Sequence, residues 1–169
     1  MGKFTVTHEI PCSAETFWKI FFDKEFNETL FLKELGFPEF KILDARDTDK
    51  EIYRKVSGTP KMNLPGPIAK LLGDGFRYTE DGTFDKATKT WRWKMTPSTL
   101  AEKLRNEGSM RIEEIGENRV RRIADITVEA KIFGIGGMME STTEKELRNG
   151  WDRSAEFMRR WLSDPSRKA

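Results

Sequence analysis

Residues 137–163, GMMESTTEKELRNGWDRSAEFMRRWLS, read as one long amphipathic helix, and a helix with a single apolar face must be covered by another element. Thr143, Leu147, Trp151, Ala155, Met158 and Leu162 recur three or four residues apart on that face, with Trp161 at its border. The opposite face is charged. Glu140, Glu144 and Glu146 come early and Arg153, Arg159 and Arg160 late, the order that suits the helix dipole. Ser141 and Glu144 match a capping box, so the helix starts near Gly137 or near Ser141. Gly150 and Ser154 open a gap in the apolar stripe beside Leu147 and Trp151. A mid-helix Gly costs about 1 kcal/mol against Ala, so something comes close to the helix there: a tightly packed strand, or a ligand.

The cover for this helix is legible upstream. Phe4, Val6, His8 and Ile10 alternate with polar residues as a half-buried strand, which Pro11-Cys12-Ser13 stops. Ser13 is a good N-cap for a helix carrying Phe17, Trp18, Phe21 and Phe22, and a second helical piece runs from Lys24 to Leu35, ended by Gly36 and Pro38. From Phe40 the period changes to two. Hairpin strands are expected around residues 40–42 and 52–56, 76–84 and 89–96, and 106–115 and 119–133. Residues 59–75, TPKMNLPGPIAKLLGDG, break the pattern with a proline-rich lead-in and a short apolar helical turn. Asp81-Gly82 is a candidate bulge. The order predicts an α+β fold, a curved seven-stranded antiparallel sheet around the long C-terminal helix, with two short helices after the first strand. At 169 residues one domain is expected over 1–169, with its last few residues disordered.

Charge and rare residues narrow the function. Thirty basic against 28 acidic residues, with no dense Lys/Arg run, give no reason to expect a nucleic-acid partner. One cysteine (Cys12) and one histidine (His8) exclude a disulfide framework and any cysteine-cluster or His-rich metal site. The start MGKFTVTHE has no apolar signal core, and no stretch approaches the roughly 20 apolar residues of a membrane span, so a cytoplasmic protein is expected. No cofactor is expected. There is no Gly-x-Ser-x-Gly elbow or phosphate-binding loop, and the G-x-G of FGIGG has no βαβ unit around it.

Two stretches resemble the START-like superfamily: HEIPCSAETFWKIFFDKEF, its strand–cap–aromatic helix opening, and FGIGGMMESTTEKEL, its glycine-rich junction into the last helix. KMNLPGPIAKLLGDGFRYTEDGTFD is similar to an uncharacterised bacterial branch of it. The resemblance implies a helix-grip fold and, for most members, a hydrophobic ligand between sheet and helix. A minority are polyketide cyclases or aromatases, and others are co-chaperone activators.

Candidate site residues follow from parity and aromatic weight. Trp91, Trp93, Met110, Ile126, Leu147 and Trp151 are expected to wall a pocket, with Tyr78 beside them and Gly150 clearing room. His8, Arg54, Glu80 and Arg122 are polar residues at inward positions, candidates to anchor the polar end of a ligand. The alternative is an internal pair such as Arg54–Glu80, because a buried unpaired charge is costly. Leu64, Ile68, Leu71 and Leu72 form a candidate gate, which with Lys61 and Lys70 would give at most weak membrane contact. No residue set identifies catalysis, although a carboxyl such as Glu80 in an apolar cavity would have a raised pKa suited to acid–base work. The expected partner is a hydrophobic or lipid-like small molecule. An enzyme of the cyclase or aromatase kind, and an interaction module with a filled core, are the alternatives.

Overall fold

The computed structural model describes residues 1–73 and 75–167. In chain order the elements are β1 (Gly2–Ile10), α1 (Ala14–Phe21), α2 (Lys24–Thr29) continuing as a π-helical turn (Leu30–Glu34), β2 (Glu39–Asp47) and β3 (Glu51–Thr59). Then come α3 (Gly66–Leu72), β4 (Tyr78–Asp85), β5 (Thr90–Pro97), β6 (Leu104–Gly116), β7 (Arg119–Ala130) and α4 (Gly136–Ser163). The sheet order is β1-β7-β6-β5-β4-β3-β2, with every neighbouring pair antiparallel. The α+β architecture predicted from the hydrophobic periods is the one observed, and its arrangement is the helix-grip one that the resemblance implies.

Local chemistry explains the boundaries. Ser13 Oγ accepts the Thr16 N–H at 3.1 Å, and Asp23 Oδ1 accepts the Phe26 N–H at 2.8 Å, so each short helix has its own side-chain cap. The long helix does not use the Ser141–Glu144 capping box. It begins at Gly136, because the Gly136 N–H turns back onto Ile132 O at 2.9 Å and a side chain at 136 would collide with the Ala130 carbonyl. Glu140 then accepts the Ala130 N–H at 3.0 Å, tying the first helical turn to the end of β7. That turn ends β7 three residues before the expected Phe133, whose side chain stands in solvent.

Asp81-Gly82 is no bulge. Both flanking ladders run through it in register, Gly82 opposite Arg54 on one side and Trp93 on the other. The irregularities lie instead between Ile42 and Asp44 and between Glu114 and Gly116. Gly82 and Gly108 serve close packing: a Cβ at 82 would run into the Trp91 indole, and one at 108 would sit 2.6 Å from Trp93 Cζ2.

The main core lies between the concave face and α4, and joins β1, β7 and α1 to Ala155, Phe157 and Met158 of the helix. A second, smaller cluster holds α3 in place, with Ile68 and Leu72 against Ala130 and Met139. None of the described helices is long and apolar enough to cross a membrane. The expected disorder of the last residues falls partly on Lys168 and Ala169, which lie outside the described residues; Pro165–Arg167 form a single 3-10 turn, with Arg167 stacked on Trp161.

Candidate functional site

Where the two clusters part, the sheet and α4 leave a cavity of about 320 Å³. One side is apolar. Ile126 and Val128 of β7, Met139 and Leu147 of α4, and Ile68 and Leu72 of α3 line it. Trp93 and Trp151 link sheet and helix along the wall, their ring centroids 5.7 Å apart. Gly150 lines the cavity, and nothing lies within 4 Å of where its Cβ would be. The gap in the helix stripe therefore faces open space and not a strand.

The other side is polar. The period-two alternation of β3 and β4 turns Arg54, Tyr78 and Glu80 onto the concave face, and all three reach the cavity. Glu80 lies deep in the fold yet keeps some accessible surface, because that surface is the cavity wall. Burial pushes its carboxyl above the ordinary carboxylate range, Arg54 partly offsets this, and Asp81 adds to it. Burial raises the Tyr78 phenol as well, with Glu80 contributing.

The Arg54–Glu80 ion pair is not formed. The Arg54 Nη1 donates to Phe21 O at 3.1 Å, and its guanidinium carbon lies 4.9 Å from the Phe21 ring centre, 5.7 Å from Phe22 and 5.0 Å from Trp91. Aromatic faces replace the carboxylate as company for this charge.

Three expected residues fall elsewhere. His8 lies outside the cavity, held between Arg122 and Asp152. Met110 is 1% exposed and sits in register between Trp91 and Ala124, inside the main core. Leu71 is 38% exposed, because α3 seats Ile68 and Leu72, four residues apart, and turns Leu71 to solvent. Arg122 does line the cavity, but both Nη atoms are engaged, Nη1 on Ser154 Oγ at 3.0 Å and Nη2 on Trp151 O at 2.8 Å and His8 Nδ1 at 3.0 Å, and its Nε is enclosed without a partner among the described residues. Leu64 packs on the small cluster at the cavity margin.

Sequence reasoning missed the contribution of α2 and the π-helical turn. Phe26, Asn27, Leu30 and Phe31 line the cavity, although their spacing reads as ordinary core. It also missed Asn106 on β6 and a polar hollow adjoining the cavity, shared through Leu35, Lys61, Met62, Glu146 and Arg153. Inward parity was the available signal for Asn106, which lies opposite Val128.

Residues 5–162 match the family described as "Protein of unknown function (DUF2505)". The chain belongs to this family. No curated protein matches it. The solved structures that the DUF2505 chain resembles include the Zhui aromatase/cyclase from Streptomyces sp. R1128, at 12% identity and a TM-score of 0.69 over 99% of both chains. A START superfamily protein from Mycobacterium smegmatis is 18% identical, with a TM-score of 0.60 over 95% of this chain and 98% of that one. A Thermus thermophilus protein is 16% identical, with a TM-score of 0.64 over 94% of this chain and 95% of that one. At these identities the likeness is one of fold, and the DUF2505 chain is a START-like helix-grip protein in that sense.

Proposed function

We propose that this protein binds a hydrophobic or amphipathic, lipid-like small molecule between its sheet and α4, and sequesters or transfers it. The observation that supports the reading most is the cavity itself: about 320 Å³, largely apolar, with a few deep polar side chains on one wall. That size and lining suit a small ligand. Binding gains roughly 25 cal/mol for each Å² of ligand apolar surface removed from water, less the cost of ordering α3 over it. Tyr78, Trp91, Trp93, Ile126, Leu147, Gly150 and Trp151 form the binding wall, and Leu64, Ile68 and Leu72 the gate. The START-like fold supports a hydrophobic ligand in general, and the partner is a small molecule and not nucleic acid. The setting is cytoplasmic, in keeping with Cys12 as a buried free thiol.

Native mass spectrometry of the purified protein, followed by organic extraction, tests this. A stoichiometric apolar molecule that leaves with the organic phase is the expected result. An empty protein that also fails to take up a fluorescent fatty acid overturns it.

A second reading rests on Glu80. A carboxyl whose pKa is raised by burial in an apolar cavity beside Tyr78 is the kind of group that serves as a general acid, and one of the similar structures is an aromatase/cyclase. Glu80→Gln separates the two: ligand uptake survives in a carrier, whereas turnover of a polyketone substrate, if wild type shows any, is lost.

A further inference from the structure

The polar wall has a sign as well as a position. Deep in the fold, Arg54 and Arg122 are the buried cations, and Glu80 is the carboxyl that shares their cavity. Neither arginine makes an ion pair among the described residues, so positive charge is in excess there even with Glu80 ionised. Nearer the surface several charged lining groups are already engaged, Arg105 with Glu107, Glu129 with Lys131, and Glu140 on the Ala130 N–H, while Lys61, Glu146 and Arg153 line the cavity where it meets the adjoining hollow. The adjoining hollow adds Lys33, Lys61 and Arg153, while its Glu34 is held by Arg160 and its Glu146 makes no ion pair among the described residues.

Donor and acceptor accounting points the same way. The Glu80 carboxyl and the Tyr78 hydroxyl have no hydrogen-bond partner among the described residues, and both face the cavity. Burial favours the protonated form of each, and in that form each presents an O–H. Arg54 spends Nη1 on Phe21 O, and its Nη2 meets no acceptor among the described residues. Its Nε is enclosed and takes no part. Three donor groups on neighbouring strands call for a ligand group rich in lone pairs. An ammonium group would meet only the neutral acceptor oxygens of Tyr78 and protonated Glu80, and would lie beside the Arg54 charge with nothing to offset it unless Glu80 ionised.

We infer that the occupant is an anionic amphiphile, a carboxylate on an apolar chain or ring, with its acid group against Arg54, Tyr78 and Glu80 and its apolar body against Ile126, Val128, Met139 and Leu147. This rests on the ligand-binding reading above and adds the charge and orientation of the ligand. Arg122 stays outside the contact, because its Nη1 and Nη2 hold α4 to the sheet and its Nε is enclosed.

Decanoate, methyl decanoate and decylamine share one tail and differ in charge, and tryptophan fluorescence reports their binding through Trp93 and Trp151. The expected result is decanoate binding about tenfold tighter than the ester, the worth of one charge-assisted hydrogen bond, with decylamine the weakest. Tyr78→Phe narrows the acid-over-ester preference severalfold, and Arg54→Met abolishes it. Because Arg54 also sits in an aromatic cage, Tyr78→Phe and the wild-type comparison carry the test if Arg54→Met does not fold. Ester or amine binding as tightly as the acid overturns the acid assignment and leaves the hydrophobic pocket standing. Failure of all three ligands to bind overturns the ligand reading and this inference with it.

Discussion

Arg122 Nη2 lies 3.0 Å from His8 Nδ1, and because a guanidinium has no acceptor, the histidine nitrogen must accept. The proton of the neutral ring therefore sits on Nε2, which donates to Asp152 Oδ1 at 2.6 Å. The chain Arg122–His8–Asp152 joins β7, β1 and α4, and Arg122 adds bonds to Ser154 Oγ and Trp151 O on the same helix. This clasp explains why two polar residues occupy inward positions beside the cavity without serving it. Arg122 is 4% exposed, and burial pulls its guanidinium below its ordinary value, a cost the three acceptors and the Trp151 face offset.

The clasp makes stability depend on pH. Burial lowers the His8 pKa from 6.5, Asp152 opposes that shift, and Arg122 and Arg159 reinforce it. The folded state therefore prefers neutral His8. Its contribution is fully present above pH 6.5 and is lost as the pH falls through the lower folded value, where protonated Nδ1 can no longer accept from Arg122. Thermal melts of wild type and His8→Gln across that range are expected to converge as the pH falls. Parallel curves would place the acid sensitivity elsewhere. At neutral pH His8→Ala is expected to cost about 1–3 kcal/mol, because Arg122 loses a buried acceptor.

Gly82 supports a second prediction. Its Cα is the floor on which the Trp91 indole rests, and any Cβ there must move the ring. Trp91 is 3% exposed and packs against Phe21 and Phe22, so moving it disturbs those contacts. Gly82→Ala is expected to destabilise by about 1–3 kcal/mol through overpacking, measured by urea unfolding. Strand propensity alone would favour Ala, so a neutral or stabilising result would mean the indole is free to shift.

The fold was legible because both periods are clean: Ala124, Ile126, Val128 and Ala130 at period two, and Leu147, Trp151, Ala155 and Met158 at helical spacing. Parity alone also put Arg54, Tyr78 and Glu80 on the inner face. What it could not supply was the company each would meet. Arg54 is met by rings from α1, which is distant in sequence, so neither the anchoring role nor the alternative pair with Glu80 foresaw its aromatic company. His8 and Met110 share inward parity with true cavity residues. They differ only in where α4 rests on the sheet, a tertiary fact with no local signal. Gly82 read as a bulge because a glycine that yields to a neighbour's indole and one that kinks a strand look alike in sequence.

The seating of α3 leads to a third prediction. Its contacts belong to the small cluster around Ala130 and Met139, and the main core lies elsewhere. Ile68 is 1% exposed in that cluster. Ile68→Ala should therefore open α3 locally: amide exchange in residues 66–72 speeds up by about tenfold or more, while the urea midpoint of the whole protein moves little. A loss of about 2–5 kcal/mol in global stability would instead make α3 part of the main folding unit. Leu71→Glu, on the exposed side of the same helix, is expected to change stability by less than about 0.5 kcal/mol.

Gly150 separates packing from binding most directly. It stands in the middle of α4, faces the cavity, and has nothing within 4 Å of an added Cβ. Replacing it removes a helix penalty of about 1 kcal/mol, so Gly150→Ala should leave the melting temperature unchanged or raise it. Gly150→Leu carries the same backbone benefit but extends into the space beside Leu147 and Trp151. It is expected to keep the fold, by circular dichroism and thermal melt, while weakening decanoate binding by about tenfold or more as the cavity shortens. Unfolding of Gly150→Leu would show that α4 closes onto the sheet at this point. Undiminished binding in a folded Gly150→Leu protein would move the ligand away from the helix, toward the wall formed by α3 and β7.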